Sequence, residues 1–221
     1  MFQFGALHLI LDTARPAAFN MAVDQALLET CTVPVLRVYR WDQPSVSIGY
    51  SHDYALLKPT LPKWPVVRRW TGGGVVWHQD DSTYSLIVPA CDSWSQTRPV
   101  ESYRQIHGSL AGALNDAGQG PCLLAGEEDR KDGALCFEAP AVFDIACAGI
   151  KIAGAGQRRT RQGLLHQGSL KRLLDDDFWI AWARRFGHEV TVTQSLPPDV
   201  DTRAAELLAT RYGTQDWLRR R

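Results

Sequence analysis

The sequence predicts an α+β protein built on a mixed, mainly antiparallel sheet flanked by helices. Two observations carry this. Apolar residues run or alternate at period two through the middle of the chain, whereas helical spacing is found near the start, around residue 110 and in the tail. Turn signatures such as Asp42-Gln43-Pro44 separate successive strand-like runs.

Ala6 to Leu11 reads as a strand. After Pro16 a helix follows, with Phe19, Val23, Ala26, Leu27 and Thr30 on one face. Val35 to Trp41 and Ser45 to Tyr50 read as neighbouring strands, and VVRRW, VVWH and STYSLIVP continue the pattern to about residue 89. Ser102 to Gly118 returns to helical spacing through Tyr103, Ile106, Leu110, Ala113 and Leu114, with Gly118 as its stop. Val142 to Gln157 predicts a hairpin around Ala148-Gly149, then a glycine-rich turn at Gly154 to Gly156, then a strand near LLHQGSL. Asp175 to Phe186 and Asp201 to Tyr212 open with acidic and end with basic or aromatic residues, as helix dipoles favour, and HEVTVTQ between them reads as a strand.

The 221 residues are 45% hydrophobic and 22% charged, enough for one good-sized core. Prolines and glycines are scattered and no linker or repeat divides the chain, so residues 1–221 are expected to form a single domain. Lys plus Arg and Asp plus Glu number 24 each, leaving no net field to attract nucleic acid or an anionic membrane. The first residues lack the features of a signal peptide and no stretch approaches a membrane span, which predicts a cytoplasmic protein. Five cysteines, at positions 31, 91, 122, 136 and 147, are an odd number at irregular spacing without a C-x-x-C pair. That argues against a disulfide framework and a zinc site, and for at least one free thiol.

Three segments hold candidate chemistry. In RRWTGGGVVWHQD, Gly72, Gly73 and Gly74 form a backbone able to take positive φ and present N–H groups to an anion or a carbonyl, with Arg68, Arg69 and His78 beside it. A ligand-free hairpin turn is the plainer reading of the glycines alone. The spacing is not that of a P-loop or dinucleotide fingerprint. In GIKIAGAGQRRTRQGLLHQGSL, Lys151 lies between Ile150 and Ile152 on a strand. Position alone favours a solvated lysine over one projecting into a pocket. Arg158, Arg159 and Arg161 make the most basic patch, either a solvated loop or a docking surface for an acidic partner. In ALCFEAPAVFD, Cys136 follows the charged GEEDRKDG, where an exposed loop enters the core. Its reactivity would need a lowered pKa, with Lys151, His78 and His166 as the available sources.

With these residues the chain resembles the biotin/lipoate protein ligase superfamily, in the lipoate-protein ligase A-like branch, and is most similar there to cysteine-dependent octanoyltransferases. FNMAVDQALLE with PVLRVYRWDQPSVSIGY resembles the N-terminal block of that branch, RRWTGGGVVWH its signature loop, and KIAGAGQ with HQGSL its lysine motif, in the family's order over most of the chain. CFEAP resembles the cysteine loop of the octanoyltransferases. A chain ending at Arg221 would be expected to lack the extra C-terminal domain common in ligases.

The resemblance implies a lipoate ligase/octanoyltransferase-like catalytic domain. Cys136 would be the nucleophile and Lys151 the group that meets the acyl carbonyl. Arg69, Gly72, Gly73, Gly74, His78, Gly154, Gly156 and Gln157 would bind the substrate. It implies transfer of an octanoyl or lipoyl group from a carrier-protein thioester, such as acyl carrier protein, to a lysine of a lipoyl domain or glycine-cleavage carrier protein, with no cofactor. Two alternatives stay open: a lipoate-protein ligase using ATP and Mg to form lipoyl-adenylate, and a non-catalytic acyl-binding subunit. The sequence departs from the family where a histidine commonly precedes the glycine of HQGSL. Gln167 stands there, and His166, one residue earlier, should face the other side of the strand.

Overall fold

The structure, a computed structural model, describes residues 3–126 and 141–220. Cys136 lies outside the described residues. The strands are β1 (Phe4–Leu11), β2 (Val35–Tyr39), β3 (Ser45–Ile48), β4 (Val66–Arg68), β5 (Val76–His78), β6 (Ser82–Pro89), β7 (Cys122–Leu124), β8 (Ile145–Cys147), β9 (Ile150–Thr160), β10 (Gly163–Leu170) and β11 (Gly187–Thr193). The helices are α1 (Ala17–Thr30), α2 (Tyr54–Leu57), α3 (Pro99–Asp116), α4 (Asp176–Ala183), α5 (Pro198–Leu207) and α6 (Gln215–Arg219).

Eight strands form one sheet in the order β11-β1-β2-β6-β10-β9-β8-β7, and β4-β3-β5 form a small second sheet. In the large sheet β1 runs parallel to β11 and β2, and every other neighbouring pair is antiparallel. The expected mixed, mainly antiparallel sheet is therefore present. Helices cover both of its faces.

The period-two alternation sorts side chains between two cores. Leu7, Leu9, Leu36, Tyr84, Leu86 and Leu164 pack on one side with Ile106, Leu110 and Leu114 of α3 and Trp179 and Trp182 of α4. Ile10, Val35, Tyr39, Ile87 and Leu165 pack on the other with α1 and α5. Each fully buried large apolar side chain contributes roughly 1.5–3 kcal/mol. Helix α1 is buried almost all round, because α5 closes over the side away from the sheet.

Local signals set the ends of these elements. Pro99 opens α3, where its missing N–H costs nothing, and the chain leaves this helix through Gly118 at φ +70°. Asp175 caps α4 by accepting a hydrogen bond from the Phe178 N–H at 2.9 Å. Ala148 and Gly149, both at positive φ, form the tight turn between β8 and β9.

Three expectations are corrected. Strands β2 and β3 are not neighbours: β2 lies between β1 and β6, and β3 between β4 and β5. The Asp42-Gln43-Pro44 signal marks a break without naming a partner. Gly154 to Gly156 do not form a turn but lie inside β9. Glycine is needed there for space, since a Cβ on Gly156 would sit 2.5 Å from the Gly72 carbonyl oxygen. Finally, Cys122 and Cys147 are joined in a disulfide. They are partners across β7 and β8, a register that counting cysteines along the chain does not reveal. No helix among the described residues is long and apolar enough to cross a membrane.

Candidate functional site

A cavity of ≈ 170 Å³ opens where the small sheet meets β9 and β10 of the large one. Gly73 and Gly74 form part of one wall, Gly154, Ala155 and Gly156 the facing part, and Trp41, Val75 and Met21 add apolar surface. The two backbones can approach because neither carries side chains at the contact. A Cβ on Gly156 would lie 2.5 Å from the Gly72 carbonyl oxygen, and Gly73 itself takes φ +93°.

Lys151 leaves β9 toward this cavity. Its Nζ lies 2.7 Å from Oδ2 of Asp144, in a pair whose side chains are 8% and 2% exposed. Asp144 also accepts a hydrogen bond from the Tyr103 hydroxyl, and its Oδ2 accepts one from the Ala141 N–H at 2.8 Å. Tyr103 in turn accepts from the Ala155 N–H at 2.9 Å. Burial, reinforced by Asp144, raises the Tyr103 pKa well above the ordinary phenol range, so this hydroxyl stays a donor. Gly154 leaves room for the pair, since a Cβ there would lie 3.1 Å from Lys151 Cε and 3.2 Å from Asp144 Oδ1. The result is a cation at the cavity wall, fixed in direction by a buried carboxylate.

Arg69 braces the glycine loop. Its guanidinium donates to the carbonyls of Gly72 at 3.1 Å and Gly74 at 2.9 Å, and to Ser47 Oγ at 2.8 Å. Ser47 Oγ lies 2.7 Å from His78 Nε2, and His78 Nδ1 lies 2.7 Å from Asp81 Oδ2. Burial lowers the His78 pKa despite the pull of Asp81. A neutral ring then donates from Nδ1 to Asp81 and accepts at Nε2 from Ser47, while stacking on Trp41 with ring centres 3.9 Å apart. Arg69 thus spends its donors on loop carbonyls, and His78 on positioning.

Beneath the cavity, Gln167 links the glycine loop to α1. Thr71 Oγ1 donates to its Oε1 at 2.7 Å, and its Nε2 donates to Asp24 Oδ2 at 2.7 Å. Asp24 is fully buried and also bonds Arg37, Tyr39 and Ser85. Donors therefore meet both oxygens of this buried carboxylate.

Of the residues selected from sequence, Lys151, Arg69, Gly73, Gly74, His78, Gly154 and Gly156 meet around one cavity, with Gly72 against Gly156 behind it. Gln157 is not brought there. It lies on the α3 side of β9, bonded to Ser102 and His166. His166 shares that side with Tyr84 and His107, while Gln167 faces the cavity, as the one-residue offset requires. Sequence spacing does not single out Asp144, Tyr103 or Trp41 as site residues. The acid just before the β8–β9 hairpin was the one available signal, and nothing local tied it to Lys151. Among the described residues no group of three or more His, Cys, Asp or Glu could hold a metal ion.

Residues 16–181 match the family described as the lipoyl protein ligase A/B catalytic domain. The chain is 32% identical to the octanoyltransferase LipM of Exiguobacterium sp., over 77% of this chain and 67% of that one. It is 36% identical to the octanoyltransferase LipM of Oceanobacillus iheyensis, over 72% of this chain and 61% of that one. It spans about two thirds of the length of these relatives. Protein Ta0514 of T. acidophilum with bound lipoic acid shares the fold, with a TM-score of 0.70 and 21% identity over 97% of this chain and 99% of that one.

Proposed function

We propose that this chain, which belongs to the lipoyl protein ligase A/B catalytic-domain family, transfers an octanoyl or lipoyl group from a carrier thioester to a lysine of a lipoyl domain through an acyl-enzyme on Cys136. The observation that carries the proposal is the Lys151–Asp144 pair at the wall of a cavity bounded by two glycine backbones. Such a cation suits a carbonyl oxygen on which negative charge develops. The names of the LipM relatives supply the acyl class. The bound lipoic acid of Ta0514 supplies a ligand of similar shape on the same fold.

In the first half-reaction the Cys136 thiolate attacks the thioester carbonyl. Lys151 Nζ donates a hydrogen bond to the oxygen as charge gathers there, the C–S bond to the carrier breaks, and the carrier leaves as its thiolate, which takes a proton from solvent. In the second, the neutral amine of a target lysine attacks the acyl-enzyme, the amide forms and the Cys136 thiol is released. An amide is more stable than a thioester, so ATP is not needed. Asp144 keeps the ammonium aimed at the carbonyl in both steps.

The other four cysteines are poor candidates. Cys122 and Cys147 are bonded to each other, burial pushes the Cys31 thiol up to about 12, and Cys91 donates to the Thr32 carbonyl at 3.4 Å. None of them lines the cavity, whereas Ala141, where the described chain resumes after Cys136, does. The carriers are acyl carrier protein as donor and a lipoyl domain or glycine-cleavage carrier protein as acceptor. The cytoplasm is the compartment where all of these meet.

The test is incubation with an octanoyl thioester followed by mass spectrometry. An octanoyl adduct on Cys136, lost in Cys136→Ala and chased off by an apo lipoyl domain, supports the proposal. Octanoyl- or lipoyl-adenylate formed from ATP without an adduct would establish ligation instead. Binding of octanoate without turnover of either kind would establish an acyl-binding subunit.

A further inference from the structure

Beside the cavity mouth, three arginines and three aromatic rings alternate around a closed circuit. The Arg158 guanidinium carbon lies 4.8 Å from the centre of the Tyr50 ring and 5.3 Å from that of Trp70. That of Arg211 lies 5.2 Å from Trp70 and 4.1 Å from Trp217. That of Arg220 lies 5.3 Å from Trp217 and 4.4 Å from Tyr50. Each arginine shares a ring with each of the other two. They come from β9, from the π-helical turn after α5 and from the end of α6, so only the fold assembles them.

Among the described residues no ion pair joins any of the three arginines to a carboxylate. Arg211 donates to Gln25 Oε1 at 2.7 Å and Arg220 to the Tyr50 hydroxyl, both neutral acceptors. The Arg158 Nε has no hydrogen-bond partner. Arg68, buried beneath, adds a fourth positive charge whose donors are taken up by backbone carbonyls, including those of Tyr50, His52 and Leu218. In a chain with equal numbers of acidic and basic residues, this concentrates like charges where they repel one another. A guanidinium lying face-on to a ring keeps its in-plane N–H edge available for a carboxylate. Arg158, Arg211, Arg220, Tyr50 and Trp70 are half-buried, so the cluster reaches solvent while the Arg158 Nε itself is buried.

We infer that this circuit docks the acidic face of the lipoyl domain that receives the acyl group. The inference rests on the acyl-transfer reading above. The second half-reaction needs a protein lysine as acceptor, and a protein must be held by a surface outside the acyl pocket. The circuit is contiguous with that pocket. Arg158 lies two residues beyond Gly156 on the same face of β9, and Trp70 precedes Thr71, which bonds the cavity-lining Gln167. The match is to a few carboxylates, since the neutral chain has no extended positive field for a polyphosphate. The other arginines of the basic run do not take part. Arg159 turns to the opposite face, donating to Ser102 Oγ at 2.7 Å and to the Ser95 carbonyl, and Arg161 lies at the exposed β9–β10 turn.

The experiment separates the half-reactions. Octanoyl-N-acetylcysteamine, a small thioester with no acidic surface, loads the enzyme, and an acidic apo lipoyl domain then accepts the group. In Arg211→Gln/Arg220→Gln, loading should proceed at the wild-type rate. The KM for the lipoyl domain should rise about tenfold or more, with a weaker dependence on salt. Replacing both by lysine should restore part of the loss, and Arg104→Gln, at a distant exposed position, should change nothing. A lipoyl-domain KM within about twofold of wild type in the double variant, with thermal melting intact, would overturn the inference. If the wild type is not loaded at all, acyl transfer has failed, and docking is judged by NMR titration of the apo lipoyl domain. Binding by the wild type that the double variant loses supports the surface, whereas equal binding or none overturns it.

Discussion

Lys151 Nζ and Asp144 Oδ2 are 2.7 Å apart across the β8–β9 hairpin, almost out of solvent, and Tyr103 holds the other carboxylate oxygen. The carboxylate fixes where the ammonium points, and Gly154 leaves the space in which the two meet.

Lys151→Ala should therefore cut acyl transfer by about 10²–10³-fold, mainly in kcat, the size of loss typical when one donor to a developing oxyanion is removed. Asp144→Asn keeps the shape but loosens the aim, and should show a smaller loss in the same direction. Asp144→Ala removes one member of a buried pair and should also destabilise the fold by about 3 kcal/mol. Single-turnover rates and urea unfolding separate the two effects. A full transfer rate in Lys151→Ala would remove the electrostatic role.

Gly156→Ala should be more damaging than Gly154→Ala. The added methyl at 156 meets the Gly72 backbone carbonyl at 2.5 Å, which cannot move without displacing the glycine loop, whereas at 154 the nearest atom is Lys151 Cε at 3.1 Å, on a flexible side chain. Thermal melting of both variants, with octanoate binding by calorimetry, tests this ordering.

Stability should fall as the solution is acidified. Burial lowers the pKa of His107 to about 4 and that of His166 well below its ordinary value, with the neighbouring His107 and Arg159 charges adding to the latter. Such groups bind protons in the unfolded chain before they do so in the folded one. Their stabilisation is complete above the unfolded pKa and is lost as pH falls through the window down to the folded value. For His107 alone the loss at pH 5 is about 2 kcal/mol. Urea unfolding at pH 7.5, 6 and 5 should show a steady decline, and a His107→Gln variant a flatter one.

The Cys122–Cys147 disulfide spans 25 residues, and closing a loop of that length stabilises by about 3.5 kcal/mol. Reduction with dithiothreitol should lower the melting temperature of the wild type and leave Cys122→Ser/Cys147→Ser unchanged.

What the sequence made legible was local. Ala148-Gly149 read as a turn because glycine tolerates positive φ, although Ala148 takes it too, and Asp175 to Phe186 read as a helix because acidic residues open it and basic or aromatic ones end it. The position of Gln167 relative to His166 followed from the two-residue period of a strand. What it did not show was pairing at a distance. Asp12, Asn20 and Asp24 gather on Arg37, Asp144 meets Lys151, and Tyr50, Trp70 and Trp217 interleave with three arginines through tertiary packing that no spacing encodes. Arg158, Arg159 and Arg161 looked like one patch in sequence. Strand alternation divides Arg158 from Arg159, and the partners of Arg158 come from the far end of the chain.

In the proposed reaction the acyl group passes through a thioester on Cys136, with Lys151 polarising its carbonyl. The most direct measurement is intact-protein and peptide mass spectrometry after brief exposure to an octanoyl thioester. One octanoyl group should appear on Cys136, sensitive to hydroxylamine, absent in Cys136→Ala and slowed in Lys151→Ala. Transfer to a lipoyl-domain lysine that proceeds undiminished in Cys136→Ala would contradict this route.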